Sequence, residues 1–152
     1  MVLKDHLYKQ RLHDFCLAQQ HSSLQTIALA IKDAEQEAAE YGAPKDRYDG
    51  FRNQQSRKRN MLATQYGLTE NNIRVLKMLQ INRSFDKVAP GALVITNSKC
   101  FFIAVGLGMI RFEGEEVAVI SAQVPVYQLM RDKKPGEDFI FNGEKLTIAA
   151  LL

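Results

Sequence analysis

From Leu3 to Tyr41 the chain contains neither proline nor glycine, and no other feature limits its folding choices as strongly. Ala, Gln, Glu, Lys and Leu dominate this run, the composition of a long helix. Unbroken, it would extend about 58 Å at roughly 1.5 Å per residue, far more than a compact domain of this size requires. Its apolar positions fall into two groups, Leu3, Leu7, Leu12 and Phe15, then Leu24, Ile27, Ala28, Ile31, Ala34 and Ala38. The polar stretch QQHSS between them shifts the phase. A kink or a short separate first helix therefore fits the pattern as well as one continuous helix.

The sequence YGAP stops this run: Gly42 suits the position after a helix C-cap, and Pro44 cannot continue the hydrogen-bond ladder but can open the next helix. A second helical stretch is predicted from Asp46 to about Asn82, with Phe51, Met61, Leu62, Tyr66, Ile73, Leu76 and Leu79 at near-heptad spacing. Within it, YGLTENN carries both a stop signal, Gly67, and a capping residue, Thr69, so one kinked helix and two shorter ones both remain open. The short connection between the two stretches favours an antiparallel helical hairpin.

Beyond DKVAPG the pattern turns to strands. ALVITN, CFFIAVGLGMIRFEG and EEVAVISA are rich in β-branched and aromatic residues and are separated by turn signals. PVYQLMRDKKPGED reads as one short helix opened by Pro125 and ended by Pro135 and Gly136. In the closing FIFNGEKLTIAALL, Asn142-Gly143 predicts a tight type I′ hairpin turn. The expected class is α+β: a helical hairpin (coiled coil) over 1–82 with its tip at about 42–49, then a small antiparallel sheet domain with one short helix over 83–152.

With 46% apolar residues the chain can bury a real core, and its net charge of +3 is too small for charge alone to argue for nucleic-acid binding. Cys16 and Cys100 stand in no metal-ligand or redox spacing, so they read as reduced, structural thiols. The opening MVLKDHLYKQ has no apolar signal core, and nowhere do eighteen apolar residues run together. A cytoplasmic protein with no membrane partner is expected.

Charge is concentrated around the predicted tip. Residues 45 to 59 hold six bases (Lys45, Arg47, Arg52, Arg57, Lys58, Arg59) and two acids; residues 32 to 40 hold four acids (Asp33, Glu35, Glu37, Glu40) and Lys32. In an antiparallel hairpin the two blocks face each other, and pairing between the helices accounts for many of these residues. The surplus bases need another partner. Arg52 and Arg59, seven apart, lie along one helical face where they can meet phosphates. Asp46 and Asp49, three apart, place two carboxylates on one side of a first helical turn, close enough to share one Mg²⁺ if other ligands come from a partner or a phosphate. Acids favoured at a helix N-terminus by capping and dipole explain the same pair without a metal. His6, His13 and His21 recur at seven and eight residues, unlike a zinc pair, and read as surface or seam residues. Gly106 and Gly108 precede more strand-like sequence and suggest a bulge rather than a phosphate loop. No Ser/His/Asp or Cys/His nucleophile set is present.

This organisation resembles the Gre family of bacterial transcription elongation factors. The family often shows Ser-Pro at the start of its short helix, then a Gly-Lys-Lys-x-Gly-Asp turn and a closing hairpin. The present chain keeps Pro125, Lys133, Lys134, Gly136, an acid at Glu137 and the Asn142-Gly143 bend, and departs at Val124 and Asp132. APGALVIT is similar to the family's first strand. The family's tip reads roughly Gly-Asp-x-x-Glu-Asn-Ala-Glu-Tyr. Matching Gly42 and Lys45-Asp46 from the left puts Ala43 at the family's aspartate, whereas matching by DRYD keeps an acid pair, Asp46 and Asp49, on a shortened tip near Tyr48.

The resemblance implies an FKBP-like sheet domain docked at the rim of the RNA polymerase secondary channel, with the hairpin tip near the polymerase active site. Lys45, Arg47, Tyr48, Arg52 and Arg59 would then contact the polymerase or nascent RNA. Asp46 and Asp49 would assist a Mg²⁺ ion shared with the polymerase, the protein holding no cofactor of its own. It would be a monomeric accessory factor rather than an enzyme, and the altered tip acids put transcript cleavage itself in doubt. Two rivals stand beside this: a helical-hairpin interaction module with no polymerase role, and a prolyl isomerase, since the implied fold also hosts that activity. The absence of Trp and of an evident aromatic-lined pocket speaks against the isomerase.

Overall fold

The computed structural model describes residues 3–40 and 49–152, without the side chains of 49, 51 and 52. The class is α+β. Two long helices, α1 (His6–Glu40) and α2 (Asp49–Met78), precede a six-stranded, mostly antiparallel sheet with one short helix. The strands are β1 (Leu93–Thr96), β2 (Cys100–Ile103), β3 (Gly108–Phe112), β4 (Glu115–Ile120), β5 (Asp138–Phe141) and β6 (Glu144–Leu151), and α3 spans Pro125–Met130. The chain divides into two compact units, one comprising Leu17–Arg74, the other the residues up to Cys16 together with Val75–Leu152.

In the Leu17–Arg74 unit the run free of glycine and proline forms unbroken helix through QQHSS. Gln20 explains why the polar stretch does not break it. Its side chain is buried, 8% exposed, and its Oε1 accepts a hydrogen bond of 3.1 Å from Asn72 Nδ2. Leu24, Ile27, Ile31 and Ala38 are half-buried and Ala34 is buried, but Ala28, assigned to the same stripe, is exposed. On α2, Leu62 and Tyr66 are half-buried and Ile73 is buried, whereas Met61 is exposed. Helix α2 also continues through Gly67, at a cost of about 1 kcal/mol relative to alanine. Thr69 caps nothing there: its hydroxyl donates back to the Gln65 carbonyl at 2.9 Å, a bond compatible with continuing helix.

In the sheet-bearing unit α1 starts where Asp5 caps it, Oδ1 accepting from the Tyr8 N–H at 2.9 Å. The sheet order is β3-β4-β2-β1-β6-β5, antiparallel except for the β2/β4 pair. Strand alternation sorts the core. Val94, Phe101, Ile103, Phe139, Leu146 and Ile148 form one cluster with Tyr127 and Met130 of α3. Phe112 meets Tyr8 and Phe15 of α1, with ring centroids 5.5 and 5.1 Å apart. Each such large apolar side chain contributes about 1.5–3 kcal/mol when buried.

Several strand and helix limits differ from expectation, and α2 ends at Met78 rather than at about Asn82. CFFIAVGLGMIRFEG splits into β2 and β3 because the Leu107 N–H turns back to the Val105 carbonyl at 3.0 Å, followed by Gly108 at φ +76. Helix α3 stops at Met130, before Pro135: the Arg131 N–H bonds the Tyr127 carbonyl at 2.8 Å and Asp132 takes a left-handed conformation, φ +62. Asn142 (φ +51) and Gly143 (φ +77) have the two positive φ angles of the expected type I′ turn. Among the described residues no helix is long and apolar enough to cross a membrane.

Candidate functional site

Lys45, Asp46, Arg47 and Tyr48 lie outside the described residues, as do the side chains of Asp49 and Arg52. The described part of the candidate interface is the adjoining basic block of α2. Arg57, Lys58 and Arg59 are all exposed, and successive helical residues point about 100° apart, so the three cations ring much of the helix circumference. The main chain of Arg52 lies two turns before Arg59, which keeps the two on one side of α2.

Pairing with the acidic end of α1 does not account for this block. Asp33, Glu35, Glu37 and Glu40 are exposed, and among the described residues no ion pair within 4.0 Å joins any of them to Arg57, Lys58 or Arg59. Among the described residues these charged groups face water rather than one another. Among the described residues, no three His, Cys, Asp or Glu side chains are grouped to hold a metal ion.

The three histidines sit as their spacing suggested, His6 and His21 exposed and His13 half-buried. His13 Nε2 lies 2.6 Å from the Leu76 carbonyl oxygen in the last turn of α2, one of the carbonyls a helix end leaves without an intrahelical partner. Both cysteines are free and buried. Burial pushes the Cys16 thiol up to about 12 and the Cys100 thiol up to about 11, which keeps both protonated and unreactive near neutrality.

The sheet-bearing unit has a polar cleft of ≈ 510 Å³ that sequence reasoning did not find. Lys4, Asn97, Ser98, Lys99, Arg111 and Glu116 help to line it. Several of its polar groups already have partners: Lys4 pairs with Glu115 at 2.8 Å, and Glu144, outside the lining, takes Lys99 at 3.7 Å and the Ser98 hydroxyl at 2.8 Å. No sequence signal marks it, because it forms where the parallel β2/β4 pairing brings the β1–β2 turn beside the β3–β4 hairpin.

The KKPGED segment forms a closed turn. The Glu137 carboxylate accepts from the Lys134 N–H at 3.2 Å, the Glu137 N–H donates to the Lys134 carbonyl at 3.0 Å, and Gly136 stands at φ +93. The Gly136 N–H donates to the Ile148 carbonyl at 2.7 Å, which fastens this turn to β6. Comparison with protein-family models, with curated proteins and with solved structures found no match for this chain.

Proposed function

We propose that the chain is a Gre-like regulator of transcription elongation that binds RNA polymerase through its secondary channel, with the segment at 42–49 near the polymerase active site. The observation that carries this reading is the backbone at Asp132. The Gre turn has glycine before its two lysines; here the position holds aspartate, yet its φ of +62 is the left-handed conformation that glycine adopts without strain. A left-handed residue here supports reading Asp132 in the place of the motif's glycine. Pro125 at the first helical position and the turn closed by Glu137 agree with the same motif.

The two long helices and the exposed Arg57, Lys58 and Arg59, which have no ion pair among the described residues, suit an arm that works among phosphates, and the sheet-bearing unit is read as an FKBP-like domain at the channel rim. If the factor stimulates cleavage, Asp46 and Asp49 assist a Mg²⁺ that the polymerase supplies. Two carboxylates fall short of an octahedral oxygen set, so the remaining ligands come from the polymerase, RNA phosphates and water. If it does not, the arm occludes the channel or modulates catalysis there. The test is a stalled, backtracked polymerase complex in which Mg²⁺-dependent RNA shortening is followed with the wild type and with Asp46→Ala/Asp49→Ala. Shortening lost in the variant assigns the acids their role, whereas binding without shortening makes the protein a non-cleaving regulator. Failure to bind the polymerase in any state ends the proposal.

A second reading rests on Met61 and Leu68, which are exposed seven residues apart on α2 and suit a helix-to-helix interaction module. Light scattering that shows a stable dimer abolished by Leu68→Glu would favour it.

A further inference from the structure

We propose that the outer edge of β3 is a docking site for an extended, acid-bearing segment of a partner protein, taken up as an additional antiparallel strand. This inference does not depend on the polymerase reading. It begins with topology. β3 is terminal in the sheet order and, among the described residues, pairs only with β4. A terminal strand keeps one row of N–H and C=O groups unpaired, and an extended peptide can satisfy that row.

The side chains at this edge define the chemistry of the occupant. The register sets Met109 opposite Ala118 and Arg111 opposite Glu116 on one face, and Ile110 opposite Val117 on the other. Met109 is 60% exposed, and Arg111 is exposed with no carboxylate within 4.0 Å among the described residues. On the Ile110 face, Phe112 packs against Phe15, itself 38% exposed, which gives an apolar ledge beside the strand. An added strand therefore meets a cation on one face and aromatic surface on the other. The chain already displays a strand that suits this pattern: β4, whose Glu-Val-Ala order opposes Arg111, Ile110 and Met109.

The opposite edge of the sheet lacks such a demand. In β5 the Asp138 carboxylate is already held by the Thr147 hydroxyl at 2.7 Å and by Lys145 at 3.2 Å. Recognition by charge is left to β3.

The test uses the full chain and two acetylated, amidated hexapeptides, EEVAVI, copied from β4, and its charge-reversed form KKVAVI. Amide hydrogen exchange is followed by NMR. Saturating EEVAVI is expected to slow exchange of the outward-facing amides of β3 by tenfold or more while β4 amides keep their rates. KKVAVI should bind more weakly, by up to about fivefold per lost cross-strand charge pair. Arg111→Ser should erase the difference between the peptides without changing the melting temperature appreciably. No slowing at millimolar EEVAVI, or equal responses of the wild type to both peptides, would overturn the proposal. So would protection of β3 that depends only on protein concentration, since a second copy would then be the occupant.

Discussion

Lys9 Nζ donates a 2.9 Å hydrogen bond to the carbonyl oxygen of Leu152, joining the first turns of α1 to the end of β6 across the sequence. The lysine is only 1% exposed, and its Nζ also lies over the face of Phe85, 4.4 Å from the ring centroid. One carbonyl and one aromatic face do not replace the water that an ammonium loses on burial, so the group's pKa is pushed down to about 8 from the usual 10.5.

The pH consequence of this burial has a definite sign. Between about 8 and 10.5 the unfolded state holds a proton at Lys9 that the folded state has released, so this residue makes stability rise with pH across that window. Below it the destabilisation is fully present, a few kcal/mol at most. Cys16 and Cys100 act oppositely above pH 9, since their thiols remain protonated in the folded state. Lys9→Met isolates the lysine: urea midpoints should show the variant at least as stable as the wild type at pH 7, with its advantage vanishing by pH 10.5. A variant destabilised equally at both pH values would show that the hydrogen bond to Leu152 outweighs the cost of the charge.

Tyr8 presents the simpler case of a buried hydroxyl with no hydrogen-bond partner among the described residues. Burial, with Cys100 and Glu115 nearby, pushes its pKa up to about 12. Tyr8→Phe keeps the edge contact with Phe112 and removes the unsatisfied group. Thermal unfolding should show a gain of about 1 kcal/mol, and a loss of that size would reveal a hydroxyl partner.

The Gln20 and Asn72 amides are expected to be strongly coupled. Replacing Gln20 by Leu strands the half-buried Asn72 amide and should cost about 1–2 kcal/mol, whereas Gln20→Leu with Asn72→Leu should be nearly neutral. A double-mutant cycle measured by denaturant unfolding reads the coupling directly. Additive losses would mean that the two side chains act independently.

Two glycines at positive φ separate backbone strain from crowding. At Gly143 an added Cβ meets nothing within 4 Å, so Gly143→Ala should cost only the left-handed conformation, about 1 kcal/mol. At Gly91, φ +95, the same atom would come 3.2 Å from Phe85 Cζ. Gly91→Ala should therefore lower the denaturation midpoint by more than Gly143→Ala. Equal losses would show that Phe85 moves aside freely.

The α+β organisation was legible because its signals are local. The absence of glycine and proline marked α1, and Asn142-Gly143 marked its turn. The continuity of the helices was less legible: QQHSS carries a break signal that the Asn72 amide overrides from 52 residues away, and Gly67 is carried through by the helix around it. Among the described residues the expected pairing between acidic and basic blocks is not found: opposite charge along two helices does not fix rotamers, and exposed pairs gain little from ordering long side chains. The cleft beside Lys4 and the free edge of β3 depend on strand order, which no short stretch of sequence encodes.

The central claim is that the segment between α1 and α2 lies at the polymerase active site. It is tested most directly by placing a photo-crosslinking amino acid at Asp46 in the full chain and irradiating its complex with backtracked RNA polymerase. The account predicts crosslinks to the 3′ end of the backtracked RNA or to the polymerase catalytic loop, lost when the secondary channel is blocked. Crosslinks confined to the outer surface of the polymerase, or none in a complex shown to have formed, would contradict it.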